Sequence, residues 1–191
     1  MIVMTLPDVS DDDILLKQAR RGSKRAISDI YERYVEAIYQ FVRLRVGDSQ
    51  QAEDITSTVF TAFIEQVTSG RGPSSHLRGW LFRVARNHIY DSYGEQQGLP
   101  LETIEQMSAS HTTNPEHHIL QSISREQIQR LIQQLTPDQQ DVLLLRFDQQ
   151  LSLKEVSDIL GKNVNTIKSL QLRAVKALQR AIDRQGVDVA S

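Results

Sequence analysis

The chain has 191 residues, of which 39% are hydrophobic and 24% are charged, and its formal net charge is −2. This length allows one medium domain or two small ones, and the near-neutral balance gives no indication of a nucleic-acid partner. Because the sequence contains no cysteine, disulfides, thiolate catalysis and cysteine-bound zinc are excluded.

The N-terminal stretch MIVMTLPDVSDDD lacks the basic region and the long apolar run of a signal peptide. No segment approaches the ~20 consecutive apolar residues that a transmembrane helix needs. The five histidines are scattered, and the adjacent pair His117 and His118 lies in a polar stretch where chain neighbours seldom face one metal. We therefore expect a cytoplasmic protein with no metal, no other cofactor and no membrane insertion.

Three helices are predicted before the first strong breaker. The first is short, because acids at its start and bases at its end complement the helix dipole and Gly22 ends it. Apolar residues then recur every three or four positions from Ser23 to Val46 and from about Ser49 to Val67, which predicts two longer amphipathic helices. The breaker TSGRGPSS follows.

The next stretch, LRGWLFRVARNHIYDSYG, combines aromatic and basic residues. With Leu81 at the centre of a buried face, helical geometry places beside it Leu77, Val84, Ala85 and His88. The opposite face then holds Arg83, Arg86, Asn87 and Tyr90, with Trp80 at its margin. Four arginines and no acid occur between Arg71 and Tyr90, and such a mixture suits the binding of unstacked bases. Alternatively, the aromatic rings are core and the arginines only solvate the helix.

The periodicity is lost between Gly94 and His118, where Ser, Thr, Gln, Gly and Pro dominate. It returns from Ile119 to Leu135, and a further helix begins after the capping residue Thr136 and ends near Asp148. No strand pattern of useful length occurs. The sequence predicts an all-α protein of two small helical domains, residues 1–94 and 119–191, joined by a flexible linker at residues 95–118.

The segment SLKEVSDILGKNVNTIKSLQLRAVKAL has the spacing of a helix-turn-helix. Ser152 and Glu155 form a capping box, the small Ser157 lets the helices approach, Gly161 takes the turn, and Ile167 packs inward. The outer face and its flanks then carry Asn165, Thr166, Lys168, Ser169, Leu172, Arg173 and Lys176. Most of these side chains are donors suited to bases and phosphates. A helical hairpin with a merely solvated outer face is the alternative.

Five blocks in this order resemble the extracytoplasmic-function (ECF) sigma factors, the small promoter-specificity subunits of bacterial RNA polymerase: YERYVEAIYQFVRLRVGD, AEDITSTVFTAFIE, LRGWLFRVARN, LTPDQQDVLLLRF and LSLKEVSDILGKNVNTIKSLQLRA. The resemblance covers roughly Ile27 to Ile182. It implies that the first domain binds the clamp helices of the largest polymerase subunit and melts the minus-ten element of promoter DNA. The second domain would read the minus-thirty-five element as duplex. An anti-sigma partner is common in the family.

The resemblance also assigns residues to each role. The polymerase-binding block carries Ala52, Glu53, Asp54, Ile55, Ser57 and Phe60. The loop from Ser69 to His76, which includes Arg71, matches the loop that captures a flipped base. The melting helix is matched by Trp80, Arg83 and Asn87, on the face shared with Arg86 and Tyr90. The recognition helix is matched by Asn165, Thr166, Lys168, Ser169 and Arg173, with Lys176 on the same face.

Three positions depart from the family pattern. Ser57 and Thr58 stand where glutamine and an acid are common, so one hypothesis is that phosphorylation at Thr56, Ser57 or Thr58 restores about −1.5 to −2 of charge. The melting helix is followed by DSYGEQ in place of several arginines. Leu170 and Gln171 stand where relatives tend to have arginine and then leucine. Leu170 would thus replace a DNA contact, and Gln171 would face inward.

Two other classes of function compete with this interpretation. A freestanding regulator would bind duplex DNA unaided as a homodimer through its helix-turn-helix, whereas a sigma factor should co-purify with core polymerase. A nuclease or another enzyme is disfavoured because no clustered carboxylates, histidines or cysteines offer a metal site. The sequence therefore predicts a non-enzymatic subunit whose partners are core RNA polymerase and promoter DNA.

Overall fold

The computed structural model describes residues 9–97 and 125–185, and all regular structure within them is helical. The chain divides into two compact units. The first takes the chain up to Arg43 and from Asp48 to Asp91, and the second takes Leu44–Gly47 and the residues from Ser92 onward. The predicted all-α fold is confirmed. The predicted linker, residues 95–118, lies outside the described residues except for its first three, which belong to a helix.

The first unit is built from α1 (Val9–Arg20), α3 (Ser49–Thr68) and most of α2 (Lys24–Val46) and α4 (Leu77–Gln97). Its core contains several aromatic rings. Those of Phe41 and Phe82 meet edge to face with centroids 5.4 Å apart. The sequence predicted all four helices, the first from its charged ends and the others from their apolar periodicity. What the patterns did not predict is the polar network that ties α1 to α2.

That network centres on Asp12, which is buried near the start of α1. Its carboxylate accepts a hydrogen bond from Arg33 Nη1 at 2.9 Å and a second one from the hydroxyl of Tyr34. Burial, followed by the hydrogen bond to Asp12, raises the pKa of Tyr34 far above that of an ordinary tyrosine. Because a buried carboxylate is stable only when it is paired, this network fixes α1 on α2.

The second unit contains α5 (Arg125–Ile132), α6 (Pro137–Leu143), a π-helical turn (Leu144–Asp148), α7 (Leu153–Leu160) and α8 (Val164–Gln185). The helix predicted from Ile119 is seen from Arg125, because residues 119–124 lie outside the described part of the chain. The core of this unit is aliphatic, with clusters formed by Leu131, Leu135, Leu143, Ala174, Ala181 and Ile182.

One buried ion pair interrupts this aliphatic character. Arg45, in the last turn of α2, donates from Nε to Asp141 Oδ1 at 2.8 Å, and the side chains are 1% and 0% exposed. Its Nη1 also donates to Gln140 Oε1, and its carbonyl accepts a hydrogen bond from the Tyr93 hydroxyl at 2.6 Å. The sequence carried no signal for a pair that lies 96 residues apart.

The helix-turn-helix of the second unit forms through the devices that the sequence indicated. Ser152 and Glu155 cap α7 reciprocally, with hydrogen bonds of 2.7 and 3.2 Å. Gly161 adopts the left-handed conformation, with φ of 65°, that only glycine takes without strain. The Ser157 hydroxyl donates to the Lys162 carbonyl at 2.6 Å, so this side chain holds the turn as well as leaving room for it. Ile167 is fully buried, as predicted.

Candidate nucleic-acid interface

The loop from Ser69 to His76 joins α3 to α4 and is defined below as the α3–α4 loop. Arg71 is exposed, and its Nε donates to Ser69 Oγ at 3.3 Å. His76 is also exposed and has a φ of 54°, while its carbonyl accepts the first hydrogen bond of α4 from the Trp80 amide at 3.0 Å. The structure therefore presents both sequence-predicted loop residues to solvent, close to the start of α4.

Helix α4 separates an apolar face from a polar one, although the boundary differs from the predicted one. Leu77, Leu81 and Ala85 are buried as expected. Phe82 and Ile89 are fully buried as well, whereas Val84 and His88 are only half-buried. The prediction for Val84 and His88 was wrong, because α4 turns its Phe82 side towards Phe41, and this shifts the buried stripe away from them.

The polar face of α4 contains exposed and shared side chains. Arg83 and Asn87 are exposed. The guanidinium of Arg86 lies 4.5 Å from the ring centroid of Tyr90, which is the geometry of a cation–π contact. Trp80 is half-buried, and its ring centroid lies 5.9 Å from that of Phe63. The two alternatives for the aromatic residues are thus combined in Trp80, which packs on the core and also reaches the surface.

Helix α3 presents a second candidate surface, the one that the sequence linked to a protein partner. Glu53, Asp54, Ser57 and Thr58 are exposed, whereas Ile55 and Phe60 are buried. Phe60 meets the Tyr31 ring edge to face at 4.9 Å, beneath a shallow groove between α2 and α3. Direct contact with a partner is therefore open to the four exposed side chains, and the two buried ones support them.

The three hydroxyl residues of α3 differ in accessibility. Thr56 is buried, and its Oγ1 donates to the Ala52 carbonyl at 2.7 Å. This position corrects the expectation that Thr56 is available for modification, because a kinase needs an accessible hydroxyl. Thr58 is exposed, with its Oγ1 donating to the Asp54 carbonyl at 2.8 Å, and Ser57 is exposed beside it.

The start of α8 gathers most of the predicted recognition residues. Asn163 caps the helix by accepting hydrogen bonds from the Thr166 amide at 2.8 Å and from its hydroxyl at 3.0 Å. An open depression beside this cap is lined by Asn163, Val164, Asn165, Thr166, Ser169 and Arg173. Lys168 is exposed next to it, and Lys176 is half-buried two turns further on. The Thr166 hydroxyl is thus already engaged by the cap.

Leu170 and Gln171 lie opposite to where they were predicted. Leu170 is buried with 8% of its surface exposed, so it belongs to the core and does not replace a DNA contact. Gln171 is half-buried and accepts a hydrogen bond from Arg146 Nε at 3.3 Å, so it does not point into the core. Both residues follow Ile167 at a spacing that keeps them near its face, and the apolar Leu170 is the one that packs into the core while the polar Gln171 stays at its edge.

Sequence reasoning missed one residue that bears on the α3–α4 loop. Arg20, at the end of α1, donates from Nη1 to the carbonyls of Gly72 and Pro73 at 3.1 and 2.9 Å. A pair 52 residues apart leaves no trace in periodicity, and the sequence indicated only that the first helix has a basic end.

Within residues 9–97 and 125–185 no group of three or more His, Asp or Glu side chains could hold a metal ion. In the same ranges, no helix has the length and apolarity required to cross a bilayer.

Comparison with known protein families and sequences gives a consistent result. Residues 30–98 match the family described as Sigma-70 region 2, and residues 125–178 match Sigma-70, region 4. The ECF RNA polymerase sigma factor BldN of Streptomyces coelicolor is 32% identical over 170 residues, which are 88% of this chain and 64% of that protein. The RNA polymerase sigma factor YlaC of Bacillus subtilis is 25% identical over 158 residues, covering 81% of this chain and 91% of YlaC.

Two solved structures share the fold. CnrH, solved in complex with the cytosolic domain of CnrY, superposes with a TM-score of 0.68 at 20% identity and covers 91% of this chain and 97% of its own. The sigma factor RpoE of Bartonella quintana, solved with the anti-sigma factor NepR, gives a TM-score of 0.65 at 20% identity and covers 82% and 96%. At this identity the likeness concerns the fold alone.

Proposed function

The chain belongs to the extracytoplasmic-function sigma factors of the sigma-70 family, and we propose that it binds core RNA polymerase and directs promoter recognition, DNA melting and transcription initiation. The chain spans 64% of the length of BldN. The proposal for its activity and partners is therefore argued from its own surfaces as well as from this relationship. Its place of action would be the cytoplasm, where the polymerase is.

The pairing of two chemically different candidate DNA-binding surfaces on one chain is the observation that supports this proposal best. In the first unit, exposed Arg83 and Asn87 stand beside half-buried Trp80, a combination suited to separated strands. In the second unit, Asn165, Ser169 and Arg173 line an open depression at the start of a helix, a combination suited to base edges and phosphates of duplex DNA. A freestanding regulator has no need for the first surface.

Melting by binding alone fits these surfaces. Unstacking a base step costs a few kcal/mol, and the capture of extruded bases on aromatic rings and in pockets offsets that cost. We propose that Trp80, Arg83, Arg86, Asn87 and Tyr90 bind the separated minus-ten strand, together with Arg71 and His76 of the α3–α4 loop. Positioning and base selection require no bond to be cleaved by the chain itself, so we propose that it acts without catalysis of its own.

The proposed polymerase-binding surface is the exposed face of α3, through Glu53, Asp54 and Ser57. Its two carboxylates would meet basic groups of the clamp helices, and electrostatic complementarity of this kind favours fast and specific association. Buried Ile55 and Phe60 would hold this face in shape. An anti-sigma protein that covers the same face is a further proposed partner.

In vitro transcription with purified core polymerase on a promoter library tests the proposal. We expect sequence-specific initiation only when this chain is added, and little binding of promoter duplex by the chain alone. The regulator hypothesis predicts the reverse, namely a shifted duplex without polymerase and no initiation. Failure to start RNA synthesis on any template would refute the proposed function.

Phosphorylation remains a lesser proposal, now confined to Ser57 and Thr58. Thr58→Glu adds a negative charge to the face of Asp54, so its affinity for core polymerase should rise relative to the unmodified chain. Thr68→Glu is the matched control, because Thr68 is also exposed on α3 and its Oγ1 also donates to a helix carbonyl, that of Ile64 at 2.7 Å. Equal affinities for Thr58→Glu and the unmodified chain would remove the hypothesis.

A further inference from the structure

The α3–α4 loop is held tightly at its middle. The Gly72 amide donates to the Gln66 carbonyl at 2.7 Å, which folds the loop back on the last turn of α3. A Cβ atom at Gly72 would lie 3.0 Å from the backbone N and Cα of Val67. Only glycine allows this approach without a shift of one backbone against the other. Ser74, Ser75 and His76 remain exposed beyond this point.

Helix α1 also contacts the middle of this loop. Arg20 Nη1 donates to the carbonyl of Gly72 at 3.1 Å and to that of Pro73 at 2.9 Å. An Nη atom of arginine carries two hydrogens, so this one atom commits both of them to adjacent carbonyls of the loop. The bonds fix the direction of two successive peptide groups, and hence the path by which the chain enters the exposed segment.

Arg20 can act in this way because its own backbone is fixed. The Gly22 amide donates to the Ala19 carbonyl at 2.9 Å and the Ser23 amide to the Gln18 carbonyl at 3.1 Å, which is the Schellman pattern at the end of α1. Ala19 is fully buried. The network centred on Asp12 anchors the beginning of the same helix. Helix α1 is therefore attached at both ends and offers a rigid base for the side chain.

We propose that Arg20 is a positioning residue that sets the conformation of the α3–α4 loop for base capture. The inference rests on the proposed function for the meaning of the loop, but not for the contact itself. Arg20 would act through the loop backbone, since its Nη1 donates to the carbonyls of Gly72 and Pro73. Its loss should blur the choice of base in the minus-ten element.

Amide hydrogen exchange on the free, full-length chain tests the contact. Arg20→Ala should accelerate exchange of the Gly72 amide by about fivefold, since about 1 kcal/mol of local hydrogen bonding is removed. Arg21→Ala removes the same charge from the neighbouring exposed residue and should leave that amide unchanged. Arg20→Lys keeps a donor that can reach a carbonyl and should restore most of the protection. Unchanged exchange at Gly72 in Arg20→Ala would overturn the proposal.

Base discrimination by the reconstituted holoenzyme tests the consequence. On promoters carrying each of the four bases at successive minus-ten positions, Arg20→Ala should reduce the preference for one base at one position, by up to about fivefold if all of the lost hydrogen-bond energy serves base selection. Core affinity and minus-thirty-five preference should not change. If Arg20→Ala and Arg21→Ala reduce transcription equally and leave base discrimination intact, only the charge matters. That result would refute the positioning role. If the wild-type holoenzyme initiates nowhere, the proposed function fails, while the exchange experiment still decides the contact.

Discussion

Helices α4 and α8 both carry candidate DNA-binding side chains, but they differ in what else those side chains do. On α8, Lys168 and Ser169 are exposed, and the core is formed by other residues of the helix. On α4, the Trp80 ring packs on Phe63, and Arg86 lies over Tyr90. On α8 most candidate binding side chains thus lie apart from the residues that fold the helix, with the cap residue Thr166 as an exception, whereas on α4 Trp80 and Arg86 also take part in packing.

This difference fits the two proposed tasks. Duplex DNA offers ready-made edges and phosphates, so flexible polar side chains on a stable helix are sufficient to read it. Separated strands must be held against their tendency to restack, and this requires rigid apolar rings that are fixed by their own packing. Substitutions on α4 should therefore change stability and function together, and those on α8 should change one or the other.

The largest effect is expected at a residue of α8 that only folds. Leu170→Ala should lower the free energy of unfolding by about 2–5 kcal/mol, because it leaves a cavity in the core of the second unit. Chemical denaturation of the full chain measures this effect. Ser169→Ala, one position earlier and exposed, should leave the unfolding midpoint almost unchanged. Equal midpoints for the two variants would mean that α8 is rotated from its assigned position.

A smaller loss of stability, accompanied by a functional loss, is expected at Trp80. Trp80→Ala should cost about 2 kcal/mol of unfolding free energy, less than a fully buried ring would, because Trp80 is half-buried. It should also impair open-complex formation more than polymerase binding, measured by permanganate reactivity of promoter thymines and by core affinity.

The control for Trp80 is a pair of variants that separates its two roles. Trp80→Phe keeps a ring against Phe63 and should retain most of the stability. Asn87→Ala, on the exposed side of α4, should reduce thymine reactivity with little change in stability. Thymine reactivity that survives in Trp80→Ala would exclude this residue from melting.

The sequence predicted those parts of the fold that depend on local chemistry. The capping box of Ser152 and Glu155 and the left-handed turn at Gly161 depend on residues a few positions apart, and the sequence predicted both. The inward position of Ile167 followed from the same reasoning. Periodicity also predicted the buried positions of Leu77, Leu81 and Ala85 on α4.

The remainder depends on contacts between distant segments, which no local pattern encodes. Arg20 binds a loop that lies more than 50 residues away in sequence, and Arg45 pairs with Asp141 across 96 residues. The position of His88 was wrongly predicted because the helical repeat does not specify which side of α4 packs on the neighbouring helix. Here that side carries Phe82, which contacts Phe41. The position of Leu170 was wrongly predicted from the arginine that relatives tend to have there, although an apolar side chain on this helix is more often buried.

At Lys168, the difference between the helices predicts a functional loss without a structural one. Lys168→Ala should weaken holoenzyme binding to the minus-thirty-five duplex by up to about tenfold and reduce the slope of log K against log salt by about one. Unfolding should not change. Lys154→Ala is a control of equal charge, because Lys154 lies exposed on α7 with its Nζ 3.8 Å from Asp158 Oδ2. An identical salt slope for the two variants would mean that Lys168 contacts no phosphate.

The smallest effect distinguishes the helices most directly, because it concerns an arginine on each. A double-mutant cycle with Arg86→Gln and Tyr90→Leu should give a coupling energy of about 0.5–1 kcal/mol in unfolding, the usual strength of an exposed cation–π pair. Arg173 donates from Nε to the Ser169 carbonyl at 3.3 Å, and α8 contains no aromatic residue that could form such a pair with it. If the Arg86–Tyr90 coupling is zero, the arginine is as independent of folding as Lys168, and α4 binds DNA by the same separation of roles as α8.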